Sequence, residues 1–247
     1  MPVAGSSLPG VEIITGSGPA RTETDATERP EFLLVLTHGA GGGVGSKDIL
    51  AARQAGLQAG ATVVRVTQPY RVGGARAPGS AQRQDEAWLE IISVLCAAHP
   101  GLPLVQGGRS NGARLACRTA QQAGAAAVIA LAFPLHPPGK ADDPSRSRAG
   151  ELRSAGVPVL VINGDRDPFG IPDQADADRL IVLPGETHSL SRHPQAITEA
   201  VASWLGQVIG IVRPERSPDS CAAPIAAGAD SSAGDAGAIP GEVGQSG

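Results

Sequence analysis

Gly108-Arg109-Ser110-Asn111-Gly112 is a G-x-S-x-G sequence. It lies between an apolar run ending at Gln106 and a helical stretch opening at Asn111. A serine on such a strand-to-helix turn is lifted above a sheet, and flanking glycines let the backbone turn that sharply. The amide of the following residue, Asn111, then points at the same spot from a helix start. The chemistry this arrangement serves is attack of the Ser110 hydroxyl on a carbonyl carbon. Taken alone, the pattern reads equally well as a glycine-rich turn with an incidental serine.

A serine hydroxyl needs a base, and the base an orienting acid. In elbows of this kind the acid and then the base follow the serine along the chain. Asn163-Gly164-Asp165-Arg166-Asp167-Pro168 follows one apolar run, and Pro184-Gly185-Glu186-Thr187-His188-Ser189 follows the next. The acid candidates are Asp165 and Asp167, and the base candidate is His188. Separately, Asp167-Pro168 reads as an Asx turn and His188 as a surface histidine. Together with the elbow they make a nucleophile, an acid and a base in the required order.

Thr37-His38-Gly39-Ala40-Gly41-Gly42-Gly43 follows a further apolar run. Its small residues expose backbone amides, so Ala40, or else Gly41, pairs with Asn111 as an oxyanion hole. His38 reads as a residue that positions this loop, because His188 already fills the base position. A nucleotide-binding reading of the same loop fails on spacing. A G-x-G-x-x-G beginning at Gly39 needs glycine at Val44, and one beginning at Gly41 needs it at Ser46. A phosphate-binding loop needs Gly-Lys-Ser/Thr, whereas the order here is Gly45-Ser46-Lys47-Asp48.

The elements that must hold these loops alternate in type. Phe32–Leu36, Thr62–Val66, Leu102–Gln106, Ala127–Leu131, Val157–Ile162 and Leu180–Leu183 are short apolar runs of the kind buried on both faces. Helices are expected from Lys47 to Ala59 with Ser46 as N-cap and Gly60 as stop, over 81–98, from Asn111 to Ala123, and from Pro194 to Ile209. A Gly-Gly turn is expected after Gln106. This alternation implies an α/β fold with a mostly parallel central sheet and helices on both faces, whose ligands bind at the carboxyl ends of the strands. Residues 1–29 form an N-terminal extension, with an edge strand at Val11–Ile14 followed by a polar loop. Residues 30–212 form the main domain. Residues 213–247 lack apolar period and read as a disordered Ala/Gly/Ser/Pro-rich tail.

The chain has 247 residues, 41% of them hydrophobic and a formal net charge of -4, which suits one domain with a sizeable core. Its scattered arginines, with lysines only at 47 and 140, show no nucleic-acid surface. Aromatics at 2% argue against a stacking interface. Cys96, Cys117 and Cys221 are too few for a disulfide framework, and Cys96 and Cys117 read as buried apolar residues. No Cys/His cluster has metal spacing, and neither a metal nor a cofactor is expected. The N-terminus lacks the features of a secretory signal, and Ala125–Leu135 is too short to span a membrane. The expected setting is cytoplasmic.

Five segments, THGAGGG (37–43), GGRSNGAR (107–114), FPLHPPGK (133–140), NGDRDPFG (163–170) and GETHSL (185–190), resemble the α/β-hydrolase superfamily across about residues 30–210. Within it the chain is similar to the dienelactone-hydrolase-like branch, and to the group that includes testis-expressed protein 30 and the hydrolase-like domain of NSL-complex subunit 3. The resemblance implies Ser110 as nucleophile, His188 as base and, by the spacing from Gly164, Asp167 rather than Asp165 as acid. It departs at Asn111 and Ala113, where the group often carries Met and Gly. The linker 139–156 leaves no room for a large cap domain, which implies an open site. Gly41, His136 and Lys140 are candidate substrate contacts; the structural reading of 133–140 is a loop stiffened by prolines, with Lys140 in solvent. Arg109 reads as a packing or ion-pair residue rather than a substrate clamp.

The function implied is hydrolysis of a small acyl substrate: a carboxylic ester, thioester or lactone. The alternative is a hydrolase-like binding or scaffold module, since a fold does not prove its chemistry.

Overall fold

The structure, a computed structural model, describes residues 6–8, 10–140 and 143–212. The tail reading for 213–247 and Cys221 lie outside these residues. Among the described residues nine strands form one sheet. They are β1 (Ser6–Leu8), β2 (Glu12–Thr15), β3 (Gly18–Ala26), β4 (Phe32–Thr37), β5 (Ala61–Thr67), β6 (Leu104–Arg109), β7 (Ala127–Leu131), β8 (Val159–Gly164) and β9 (Arg179–Leu183). The order is β1-β3-β5-β4-β6-β7-β8-β9, with β2 also paired to β3. β5 through β9 and β4 run parallel, while β1, β2 and β3 add antiparallel.

The parallel strands are sealed on both faces, which is why their sequences are continuous apolar runs. Phe32 through Leu36 have no exposed surface. One face packs against α3 (Ala81–Ala98), α4 (Asn111–Thr119) and α5 (Ala149–Arg153) through Trp88, Ile91, Leu115 and Leu152. The other packs against α1 (Lys47–Gln58) and α6 (Pro194–Val212) through Ile49, Leu57, Ile197 and Trp204. A short α2 (Pro69–Val72) follows β5. Full burial of each such aliphatic side chain contributes about 1.5–3 kcal/mol, which compensates for the scarcity of aromatic residues. Cys96 and Cys117 belong to the α3/α4 core.

Three differences from the sequence expectation have physical causes. The polar stretch after the first apolar run is a nine-residue strand, β3, and not a loop. Its buried positions are Ala20 and Thr22 on one face and Asp25 on the other, so no regular apolar alternation marks the strand. Asp25 is made tolerable by Arg53 of α1, whose Nε donates to it over 2.6 Å, and by Arg65 of β5. The strands β1, β2 and β3 therefore extend the central sheet. Second, Gly107 and Gly108 lie inside β6 rather than in a turn. A Cβ on Gly107 would lie 2.5 Å from the Ile129 carbonyl oxygen of β7, so close strand contact explains that glycine. Third, Ser46 holds the N-cap position of α1 in extended conformation, but its side chain makes no capping bond.

Candidate active site

The elbow is built by two close approaches. A Cβ on Gly108 would lie 2.6 Å from the Thr37 carbonyl oxygen, and one on Gly112 2.7 Å from that of His38. Only glycine lets β6 and α4 pack this tightly against the end of β4. Ser110 between them is forced to φ 55°, ψ −113°, a left-handed conformation rare for a residue with a side chain. Its amide still donates to the Leu131 carbonyl over 2.9 Å, which anchors the turn to β7.

His188 comes from the loop between β9 and α6. Its Nε2 is 2.9 Å from Ser110 Oγ, and its Nδ1 is 2.8 Å from Asp167 Oδ2. The Asp167 side chain is fully buried. A carboxylate there accepts the Nδ1 proton, which leaves Nε2 bare to accept the serine hydroxyl proton. Asp167 Oδ1 accepts the Phe169 amide over 2.9 Å, fixing the carboxylate plane. The Phe169 ring packs edge-on against His188 with centroids 4.4 Å apart. Asp165 does different work: it is exposed, and its Oδ1 accepts the Gly185 amide over 2.7 Å. The structure thus joins Ser110, His188 and Asp167 in one hydrogen-bonded chain and leaves Asp165 outside it.

Buried Glu186 organises the histidine loop. Its Oε1 accepts the Arg192 and His193 amides over 2.6 and 2.7 Å, and Oε2 accepts that of Ser191 over 3.1 Å. These are amides at the entrance to α6, where a negative charge is favourable. The Glu186 carbonyl accepts the Arg166 amide over 2.9 Å, and the backbone there passes so close to Gly164 that no side chain fits at 164. The acid loop and the base loop are therefore laced together directly.

The loop after β4 is braced from behind. His38 is buried and its amide-accepting Nε2 lies 3.0 Å from Gln68 N. Its Nδ1 must then carry the proton, which goes to the Gly39 carbonyl over 2.8 Å. Burial lowers the His38 pKa, consistent with a neutral ring. Tyr70 Oη lies 3.4 Å from the Gly39 carbonyl and 3.3 Å from that of Ala40. Burial raises the Tyr70 phenol to about 12, so it remains a donor. In a trans peptide the N–H opposes the C=O, so restraining the Gly39 carbonyl on the His38 and Tyr70 side aims the Ala40 amide away from them. A Cβ on Gly39 would lie 3.1 Å from Ser110 Cβ, which shows how closely this loop borders the serine. Asn111 occupies the first position of α4, and its Nδ2 donates to Gln84 Oε1 over 2.6 Å. That bond turns its side chain to α3 and leaves its amide at the helix start.

The remaining candidates sit further out. Gly41 is exposed. His136 is buried with its amide on the Phe169 carbonyl over 2.9 Å, so it underlies the acid loop. Lys140 is exposed in a turn closed on the Pro137 carbonyl, and its ammonium bonds none of Ser110, His188 and Asp167. Arg109 is an ion-pair residue: its Nε lies 2.9 Å from buried Asp48 Oδ2, and its Nη2 donates to the His188 carbonyl. Sequence reasoning did not single out Phe169, Glu186 or Tyr70; the first two lie in quoted motif segments, while nothing local marks Tyr70. Among the described residues of the linker after β7, 144–146 form one 3-10 turn and α5 begins at Ala149. Among the described residues no group of His, Cys, Asp or Glu is placed to hold a metal, and no helix is long and apolar enough to cross a membrane.

A serine hydroxyl within hydrogen-bond reach of an imidazole is suited to acyl transfer. Solved structures share this architecture. Est1E from Butyrivibrio proteoclasticus superposes with a TM-score of 0.65 at 18% identity, covering 82% of this chain and 100% of its own. An a/b serine hydrolase without lid from Xanthomonas campestris gives 0.61 at 20% identity, covering 81% and 95%. Dienelactone hydrolase from Anabaena variabilis gives 0.64 at 16% identity, covering 83% and 98%. At these identities the likeness is one of fold. No curated protein sequence matches the chain significantly. The family model described as alpha/beta hydrolase domain matches residues 30–193, well over half the chain. The chain therefore belongs to the alpha/beta hydrolase family.

Proposed function

We propose that the protein is a serine hydrolase of carboxylic esters, thioesters or lactones, of the dienelactone-hydrolase-like kind. The observation that carries this reading is the continuous chain from Ser110 Oγ through His188 to Asp167, with separations of 2.9 and 2.8 Å. Ser110 Oγ bonds to the substrate carbonyl carbon while His188 Nε2 takes its proton. Charge develops on the carbonyl oxygen and is met by the amides of Ala40 and Asn111. The carbon–oxygen or carbon–sulfur bond then breaks, and His188 returns the proton to the leaving alcohol or thiol. Water attacks the acyl-serine with His188 again as base, the bond to Ser110 Oγ breaks as His188 returns the proton to it, and the carboxylic acid leaves. Asp167 holds the imidazole in the tautomer these steps need. The five motif segments support grouping the chain with testis-expressed protein 30 and the NSL-complex subunit 3 domain, and the open site supports a small-molecule substrate.

The test is intact-mass detection of labelling by a fluorophosphonate probe. One adduct on the wild type and none on Ser110→Ala is expected. No adduct on the folded wild type would overturn the reading in favour of a non-catalytic binding module.

A further inference from the structure

A cavity of about 560 Å³ opens beside this site, between the segment after β5, the first three turns of α3 and the β2–β3 turn. Pro69, Ala87, Trp88 and Ile91 lie beneath it and are buried, while Tyr70, Ala77 and Pro78 give it an accessible apolar wall. Two of its wall residues are the braces of the site. Tyr70 reaches the carbonyls of Gly39 and Ala40, and Gln84 holds the Asn111 side chain. The cavity therefore borders both amide-bearing segments.

Strand order fixes which part of a substrate faces it. β6 carries Ser110. β8 and β9, whose loops bring Asp167 and His188, lie on one side of it, while β4 and β5 lie on the other. His188 must hand its proton to the leaving oxygen, so the alcohol part of an ester lies on the β8–β9 side. With the carbonyl oxygen at the Ala40 and Asn111 amides, the acyl substituent extends to the β5 side, where the cavity is. Its volume is that of a site for a small organic group. Glu86 and Glu90 line it beside the single cation Arg83, a balance that does not favour an anionic group.

We infer that this cavity is the acyl-binding pocket and that the protein prefers esters of neutral, medium-length acyl chains, reaching past Gln84 along the wall formed by Tyr70, Ala77 and Pro78. The inference rests on the serine-hydrolase reading. Each methylene of a longer chain that is buried there gains by up to about fourfold.

The test uses the full chain and p-nitrophenyl acetate, butanoate, hexanoate and octanoate, with a parallel set of acetate esters of lengthening alcohols. We expect kcat/KM to rise along the acyl series and to stay flat along the alcohol series. Ala77→Trp places a bulky group at an exposed lining position, and the octanoate-to-acetate ratio of kcat/KM should fall at least about tenfold. The acetate rate of the same variant is the denominator, so partial loss of folded protein cancels. A rise along the alcohol series instead, a flat acyl series, or an unchanged ratio in Ala77→Trp would overturn the pocket assignment while leaving the serine reading intact. Absence of both probe labelling and acetate hydrolysis in the wild type would overturn both.

Discussion

Arg109, the residue before Ser110, donates through Nη2 to the main-chain carbonyl of His188 over 2.9 Å. Its Nε lies 2.9 Å from the carboxylate of Asp48. Asp48 is fully buried in the first turn of α1, and burial raises its pKa above the usual carboxylate range. One planar guanidinium thus ties the His188 loop to the helix that follows the loop after β4. An ammonium offers no rigid fork for two partners in fixed directions. Arg109→Lys should therefore lower kcat by about 10- to 100-fold while KM stays near wild type, because small misplacement of a catalytic group has that effect. Steady-state kinetics with a short ester checks this; a rise in KM at constant kcat would assign Arg109 to substrate binding instead.

The two aspartates of the acid loop should separate cleanly. Asp167→Asn should cost about 10⁴ in kcat by favouring the wrong imidazole tautomer. Ser110→Ala and His188→Ala should cost about 10⁴–10⁶. Asp165→Asn keeps an oxygen to accept the Gly185 amide, so its kcat should remain within about threefold of wild type. Comparable losses at Asp165 and Asp167 would reject the acid assignment.

Gly112 and Gly150 both lie in helices, where alanine is intrinsically preferred. Gly150 faces open space, so Gly150→Ala should stabilise by about 0.5–1 kcal/mol. At Gly112 the added methyl would meet the carbonyl oxygens of His38 and Thr37 at 2.7 and 2.8 Å. Gly112→Ala should therefore destabilise by about 1–3 kcal/mol. Thermal melts of the two variants should move in opposite directions.

Acid stability should depend on Asp25. Hydrogen bonding by Arg53 holds its carboxyl below the usual carboxylate range, against the opposing effect of burial. The folded pKa is thus below the unfolded one. The stabilisation is complete above the ordinary value of 3.8 and disappears as pH falls through the depressed folded value. Asp25→Asn should cost about 3 kcal/mol at neutral pH, and the gap to wild type should begin to narrow as pH falls below 3.8 and go on narrowing through the depressed folded value. Denaturant melts across that range test the sign; a gap that widens toward acid would contradict it.

The parallel strands and the elbow were legible because their signals are local. A strand buried on both faces must be apolar throughout, and Phe32–Leu36 or Ala127–Leu131 show that without any knowledge of their neighbours. Gly108 and Gly112 could be read from spacing. β3 could not, because its inward Asp25 is acceptable only beside Arg53 and Arg65, which are 28 and 40 residues away. The bracing of the Ala40 segment by Tyr70 was hidden for the same reason, at a separation of 30 residues.

The sequence by itself determined the fold class, the order of serine, carboxylates and histidine, and the loops that carry them, because those follow from runs and turns within a few residues. The spacing from Gly164 favoured Asp167, but only the tertiary structure brings its carboxylate to His188. Asp165 and Asp167 differ little in local sequence, but one carboxylate is spent on the Gly185 amide while the other is buried against an imidazole 21 residues on. It also decided that Arg109 points to Asp48 and His188, and that Tyr70 stands between a cavity and the Gly39–Ala40 segment. Those facts depend on how α1, α3 and the β9–α6 loop pack around β6, and packing between distant segments leaves no mark in the spacing of either one.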